Sequence, residues 1–174
     1  MIFKDISNFN NINDYLPILN GCLNADIIII FLVFNNVFNS IYLKKWYNIF
    51  KLSASIADTL ILIIGIIIAR FFYGYLFKEF NIWLFTGLAV VIQIIHDILF
   101  YLLFKNVPKG YNYMLDVFKS YAKEVGVGAI LGDSLMMILA CLLSSYFATF
   151  SLNQNIITLI ITSYFIPYMI YYER

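Results

Sequence analysis

The sequence predicts an all-α, polytopic membrane protein: a bundle of about five transmembrane helices with one cytoplasmic amphipathic helix. Three observations carry this. Of the 174 residues, 63% are hydrophobic and only 12% charged, against roughly a quarter charged in soluble domains. The mean hydropathy is +0.86. The apolar runs reach about 20 residues, the length that crosses the hydrocarbon core, and they lack the period-2 alternation of strands.

Taken in order, residues 1–23 form a polar, Asn-rich N-terminal segment and residues 24–174 the transmembrane bundle. Residues 1–21 lack the basic and apolar regions of a signal peptide, so the first span is expected to direct its own insertion. The spans are placed at 24–43, 52–72, 82–104, 125–150 and 156–172. The first is the weakest, interrupted by Asp26, Asn35, Asn36 and Asn39. Between the third and fourth, Pro108 and Gly110 predict a turn and Asn112 an N-cap. Met114, Phe118, Tyr121, Ala122 and Val125 then recur at helical spacing, opposite Asp116, Lys119, Ser120, Lys123 and Glu124. This pattern predicts an amphipathic helix over 112–124, lying on the membrane surface.

Lysine and arginine set the orientation. With five spans, one side holds Lys44, Lys45, Lys51, Lys105, Lys109, Lys119, Lys123 and Arg174, and the other Lys4, Lys78 and Arg70. The positive-inside rule then places the N-terminus outside or in a lumen and the C-terminus in the cytoplasm. Aromatic residues at the proposed edges fit membrane interfaces: Trp46, Tyr47, Tyr73, Tyr75, Trp83, Tyr171 and Tyr172. A net charge of +1 argues against nucleic acid as a partner, since a nucleic-acid binder needs a dense basic patch. The expected partners are the lipid bilayer and, within it, further copies of the chain or other membrane proteins. Cys22 and Cys141 lack metal-ligand spacing and read as small apolar fillers. The richness in Ile, Asn, Lys, Tyr and Phe suits an AT-rich genome, so part of the Asn and aromatic content is expected to be codon drift.

The informative residues are acids inside apolar runs. Asp58, Asp97 and Asp133 each lie seven to nine residues from a charged group at the same end of their helices: Lys51, Lys105 and Glu124. At 1.5 Å per residue this puts all three roughly 10–14 Å below the cytoplasmic face. His96, the only histidine, shares that depth, and Gln93 is one turn deeper. Asp26 is expected near the outer rim, where water reaches it. Small or polar residues flank the acids: Ala54, Gly65 and Ala69 with Asp58; Thr86 with Gln93 and Asp97; Ala129, Ala140 and Ser144 with Asp133. Such stripes face other helices. The predicted cluster is Asp58, Gln93, His96, Asp97, Asp133 and Ser134. Asn36 and Asn39 from the first span, and Ser163, Tyr164 and Tyr168 from the fifth, are in reach of the same layer.

An Asp at a helix centre costs roughly 2.5–3.5 kcal/mol to insert. No Lys or Arg lies at the depth of these acids; Arg70 is about 18 Å away along its helix. The carboxylates must therefore be protonated, hydrated, bonded to one another, paired with His96 or bound to a cation. No cofactor is expected, and the spacing selects no metal. Ala57-Asp58-Thr59-Leu60 also matches Gly132-Asp133-Ser134-Leu135, which suggests that spans two-three and four-five are parallel repeats. The glycines at 126, 128 and 132 do not make a nucleotide-binding loop. Gly128 and Gly132 form instead a GxxxG pair, expected at a helix contact.

Two resemblances stand beside these patterns. Asp97 within Ile95-His96-Asp97-Ile98-Leu99-Phe100 and Asp133 within Leu131-Gly132-Asp133 resemble the paired motifs of intramembrane aspartic proteases, and Phe165-Ile166-Pro167 echoes a later proline-containing helix end. The resemblance implies a dyad, Asp97 and Asp133, sharing a proton to activate water. The sequence departs from that family at Ile130, where Gly is expected, and at His96, where Tyr is expected. The whole chain resembles small, uncharacterised multi-pass membrane proteins of large DNA viruses, through Ile95-His96-Asp97, Pro108-Lys109-Gly110-Tyr111-Asn112 and Gly132-Asp133-Ser134. That likeness implies a virion or host-cell membrane and no chemistry. Three functions are compatible with these features: a structural or scaffolding membrane protein with the acids as interhelical glue; a proton- or cation-handling channel or transporter; and an intramembrane aspartic-type hydrolase. The first, non-enzymatic one is the default.

Overall fold

The computed structural model describes residues 2–38 and 40–171. Asn39, expected in the acidic layer, and Tyr172 and Arg174, expected at the cytoplasmic edge, lie outside the described residues. The described chain is all-helical: α1 (Tyr15–Phe34), α2 (Ile41–Phe50), α3 (Leu52–Leu76), α4 (Ile82–Asn106), α5 (Tyr113–Val125), α6 (Val127–Phe147) and α7 (Leu152–Ile170). Among the described residues, four stretches are long and apolar enough to cross a membrane: 12–34, 52–76, 82–106 and 127–147. The fifth long helix, α7, opens on Asn153, Gln154 and Asn155, which dilute its apolar content.

The four apolar helices form a ring. Both α1 and α4 pack against both α3 and α6, and α7 lies outside the ring, chiefly on α1. Neighbours run antiparallel: Asp14, just before α1, meets Arg70 late in α3, while Asp26 in α1 meets Ser55 early in α3. One end of the bundle, here the closed end, therefore holds the N-terminal segment, the α3–α4 turn and the α6–α7 turn. The other, the open end, holds α2, α5 and the helix ends they connect.

The first span departs from expectation. Instead of 24–43 it occupies Tyr15–Phe34, so part of the supposedly polar segment 1–23 is buried helix. Pro17, Asn20, Gly21 and Cys22 are all buried. Helix α1 admits polar residues because they bond inside the bundle. Asn20 Nδ2 donates to Asn155 Oδ1 and to the Asn155 carbonyl, both at 2.9 Å, and Asn24 Nδ2 donates to Thr162 Oγ1 at 3.3 Å. The helix ends at Asn35 and Asn36, the latter at φ 62°, a left-handed conformation that Asn tolerates better than most residues. Beyond this break the chain starts a separate amphipathic helix, α2, with Ser40 as its N-cap.

Helix α5 falls where the sequence places it, and Asn112 caps it by accepting from Leu115 N. It does not lie alone on a surface, because it pairs with α2. The Glu124 carboxylate of α5 sits on the N-terminus of α2, accepting from Ser40 Oγ (2.6 Å), Ile41 N (3.0 Å) and Tyr42 N (3.1 Å). It satisfies N–H groups that the helix itself leaves unpaired and meets the positive end of the helix dipole. Aromatic packing adds to the pair: the Phe118 ring lies 4.6 Å from Trp46 and 5.2 Å from Phe100.

The repeat also takes another form. α3 and α4 pack as a hairpin, but α7 sits on α1 and α3, so spans two-three and four-five are not equivalent hairpins. The recurring unit is instead an amphipathic helix, a corner and a span. The corner residues Lys51 (φ 50°, ψ −124°) and Gly126 (φ 54°, ψ −125°) share one conformation. Asp58 and Asp133 each follow their corner by seven residues.

Candidate functional site: a carboxylate-lined cavity at the open end

Toward the closed end the ring is tight. A Cβ on Gly21 would stand 2.2 Å from Ser144 Oγ and 2.4 Å from Ser144 N, so α1 and α6 touch through their backbones there. Phe85, Ala89 and Gln93 of α4 and Met137, Ala140 and Cys141 of α6 are buried. Cys22 and Cys141 are free, fully buried thiols that fill space as expected. Beyond Gln93 burial on α4 gives way to partial exposure as far as Phe104, and on α6 it begins only at Met136. Between these two stretches lies a cavity of about 1200 Å³, bounded by α3, α4 and α6 and roofed by α2 and α5.

Five of the six predicted cluster residues line this cavity: Asp58, Gln93, His96, Asp97 and Asp133. Ser134 is half-buried and is not part of the lining. Each acid has different company. Asp58 Oδ2 accepts from Trp46 Nε1 at 2.9 Å. Asp97 Oδ1 accepts from Gln93 Nε2 at 2.7 Å and faces His96 Nδ1 at 3.2 Å, both on its own helix, while its Oδ2 is buried without a partner. Asp133 makes no hydrogen bond among the described residues. No Lys or Arg lines the cavity.

A fourth acid stands behind the wall. Asp26, expected near the opposite rim, is fully buried. It accepts from Ser55 Oγ and, at 3.3 Å, from Tyr47 Oη. Its position results from the shifted first helix, which places residue 26 just past the middle of α1 on the open-end side. Tyr47 and Trp46 are buried cavity residues, not interface markers. Burial, with Asp58 and Asp26 beside it, pushes the Tyr47 phenol well above its ordinary value. Burial does the same to Tyr121 of α5, assisted first by Asp133 and then by Asp58 and other acids, so both phenols stay protonated. Sequence reading missed Tyr47 and Asp26. Asn20 and Asn24 share one face of α1 and Asp26 lies on another, so no single polar stripe marked it.

Other expectations for the layer are corrected. Asn36 is exposed beyond α1 and accepts from Lys44 Nζ. Ser163, Tyr164 and Tyr168 are exposed on the outer face of α7, where the two tyrosines bond each other. Tyr73 is buried, its hydroxyl accepting from Asn81 N at 2.9 Å in the α3–α4 turn, whereas Tyr75 and Trp83 are exposed. A Cβ on Gly132 would meet nothing within 4 Å, and one on Gly128 would touch only Val125. The GxxxG pair thus lines the cavity and holds no helix contact; the glycines at helix contacts are Gly21 and Gly65, the latter against Met137.

Among the described residues, no three His, Cys, Asp or Glu side chains converge as a metal-binding set. Comparison with protein-family models, with curated proteins and with solved structures finds no match.

Proposed function

We propose that the protein is a cation-handling integral membrane protein. In this reading α1, α3, α4, α6 and α7 cross the bilayer, with the open end cytoplasmic and the N-terminal segment outside or in a lumen. Seven described lysines at the open end, against Lys4, Arg70 and Lys78 at the other, support that orientation.

The single observation that carries the function is the cavity itself: three carboxylates from three helices, no cationic side chain in the lining, and about 1200 Å³ of space. Acids serving as glue would be spent on partners from neighbouring helices. Asp97 is bonded within its own helix and Asp133 to nothing, which leaves both available to a guest. Buried carboxylates without a counter-charge favour a cation or a proton. The lining is otherwise apolar, with exposed Ile98, Val127 and Leu131 at its rim, which suits an organic cation with an apolar body.

The test is flux into proteoliposomes, measured for protons and for a lipophilic organic cation, with wild type and with Asp97→Asn and Asp133→Asn. Transport that vanishes in either variant while thermal stability holds supports the proposal. Absence of wild-type flux, with stability lowered by the substitutions, would assign the acids to scaffolding. Cleavage of a model transmembrane substrate, blocked by either substitution, would assign them to hydrolysis.

A further inference from the structure

A second, smaller recess of about 400 Å³ lies at the open end, outside the carboxylate cavity. Its wall carries four lysines from three pieces of chain: Lys105 at the end of α4, Lys109 in the following loop, and Lys119 and Lys123 one turn apart on α5. Its floor is Tyr101, Phe104 and Ala122, and no carboxylate lines it. Asp116, outside the lining, is 3.9 Å from Lys119 Nζ and also accepts from Gly110 N at 2.8 Å, holding the loop against α5. Lys119 also donates to the Val107 carbonyl. Lys105 lies over the Tyr101 ring. Three and seven residues before Lys105 on the same face of α4, Leu102 and Ile98 are exposed, an apolar strip running from the recess toward the middle of the bundle.

Lys105, Lys109 and Lys123 have no carboxylate partner among the described residues, a costly gathering of charge unless an anion occupies it, and lysine binds phosphate as a compact point charge. An apolar strip leading away from that charge fits an acyl chain. We propose that this recess binds the phosphate headgroup of an anionic phospholipid, with the acyl chain laid along the exposed Leu102 and Ile98 of α4. It draws on the membrane assignment of the helices and not on what the carboxylate cavity does.

The experiment is native mass spectrometry of the full chain in detergent, titrated with phosphatidic acid, phosphatidylglycerol and phosphatidylcholine. The expected result is retention of the two anionic lipids and not of phosphatidylcholine. Binding should weaken about tenfold or more in the triple variant Lys105→Gln, Lys109→Gln, Lys123→Gln, since each basic group near a membrane surface contributes appreciably to anionic-lipid binding. The corresponding triple Lys→Arg variant should keep it, which separates lost charge from lost fold. Lys44→Gln with Lys45→Gln, at the same end but outside the recess, should leave it unchanged. Equal retention of all three lipids, or equal loss in the Lys44 and Lys45 variant, would overturn the proposal. So would displacement of the lipid by millimolar inorganic phosphate or glycerol phosphate, which would assign the recess to a soluble anion.

Discussion

At the closed end of the bundle, every buried charge has an opposite partner and the helices touch through their backbones. Arg70, 1% exposed, donates to the carbonyls of Asn8 and Asn11 and to Asp14 Oδ2, and its guanidinium lies 4.7 Å from the Tyr15 ring centroid. The N-terminal segment is tied down again where Lys4 N donates to the Ser145 carbonyl and Ser145 Oγ to the Lys4 carbonyl. At the open end the same helices separate, acids outnumber their partners, and two amphipathic helices close the gap. The first region ties its ion pair and the N-terminal segment into the fold; the second leaves Asp133 and one oxygen of Asp97 without a donor among the described residues. The bundle is thus tied at one end and hollow at the other.

Four substitutions probe that division between the two ends. The largest effect is expected from Arg70→Met, which leaves the Asp14 carboxylate and two carbonyls buried without their donor. Removing one partner of a buried pair costs roughly 3–5 kcal/mol, and thermal unfolding in detergent should show the loss; an unchanged melting temperature would mean the closed end is not the anchor. Next is Gly21→Ala, whose methyl cannot fit against the Ser144 backbone. Overpacking of this kind costs about 1–3 kcal/mol. Gly132→Ala, the same substitution in the open half, has no neighbour to strike. It should be neutral or stabilising by up to about 1 kcal/mol, from helix propensity alone, and a loss equal to that of Gly21→Ala would show the cavity wall to be packed.

The smallest effect concerns the roof. Burial raises the Glu124 value, but the Ser40 hydroxyl, the Tyr42 and Ile41 N–H groups and Lys45 outweigh it, so its carboxyl sits below the usual 4.5. A depressed folded-state value gives a contribution present above the ordinary range and lost as pH falls through the lowered one. The α2–α5 pair should therefore loosen on acidification below about pH 4.5, read as rising amide exchange in α2. Glu124→Gln should show that looseness at neutral pH and lose the pH dependence.

The apolar helices, α5 with its Asn112 cap, and the meeting of Asp58, Asp97, His96 and Gln93 with Asp133 were legible in the sequence, because length and helical register alone decide them. The first helix was not. Asn20, Asn24 and Asp26 lower its local hydropathy, and only the partners Asn155, Thr162, Ser55 and Tyr47 show why such residues sit inside. Asn20 and Asn155 are therefore paired by structure, whatever the genome's codon bias. α2 was hidden in the same way: without the break at Asn36, its apolar face read as the tail of a span, and its aromatics as interface markers. Pairing between distant segments, as between Glu124 and Ser40, leaves no local trace in either segment.

The seat of α1 has a bearing on how the chain is made. This helix leaves the ribosome before the other long helices described, yet its main partner is α6, which is synthesised over a hundred residues later. Asp26 gains Tyr47 and Ser55 as soon as α2 and α3 follow, but Asn20 must sit in the membrane without Asn155 until α7 arrives. A helix made early is thus among the last to be satisfied. Nascent chains halted before α7 should expose Asn20 to whatever insertion machinery holds them.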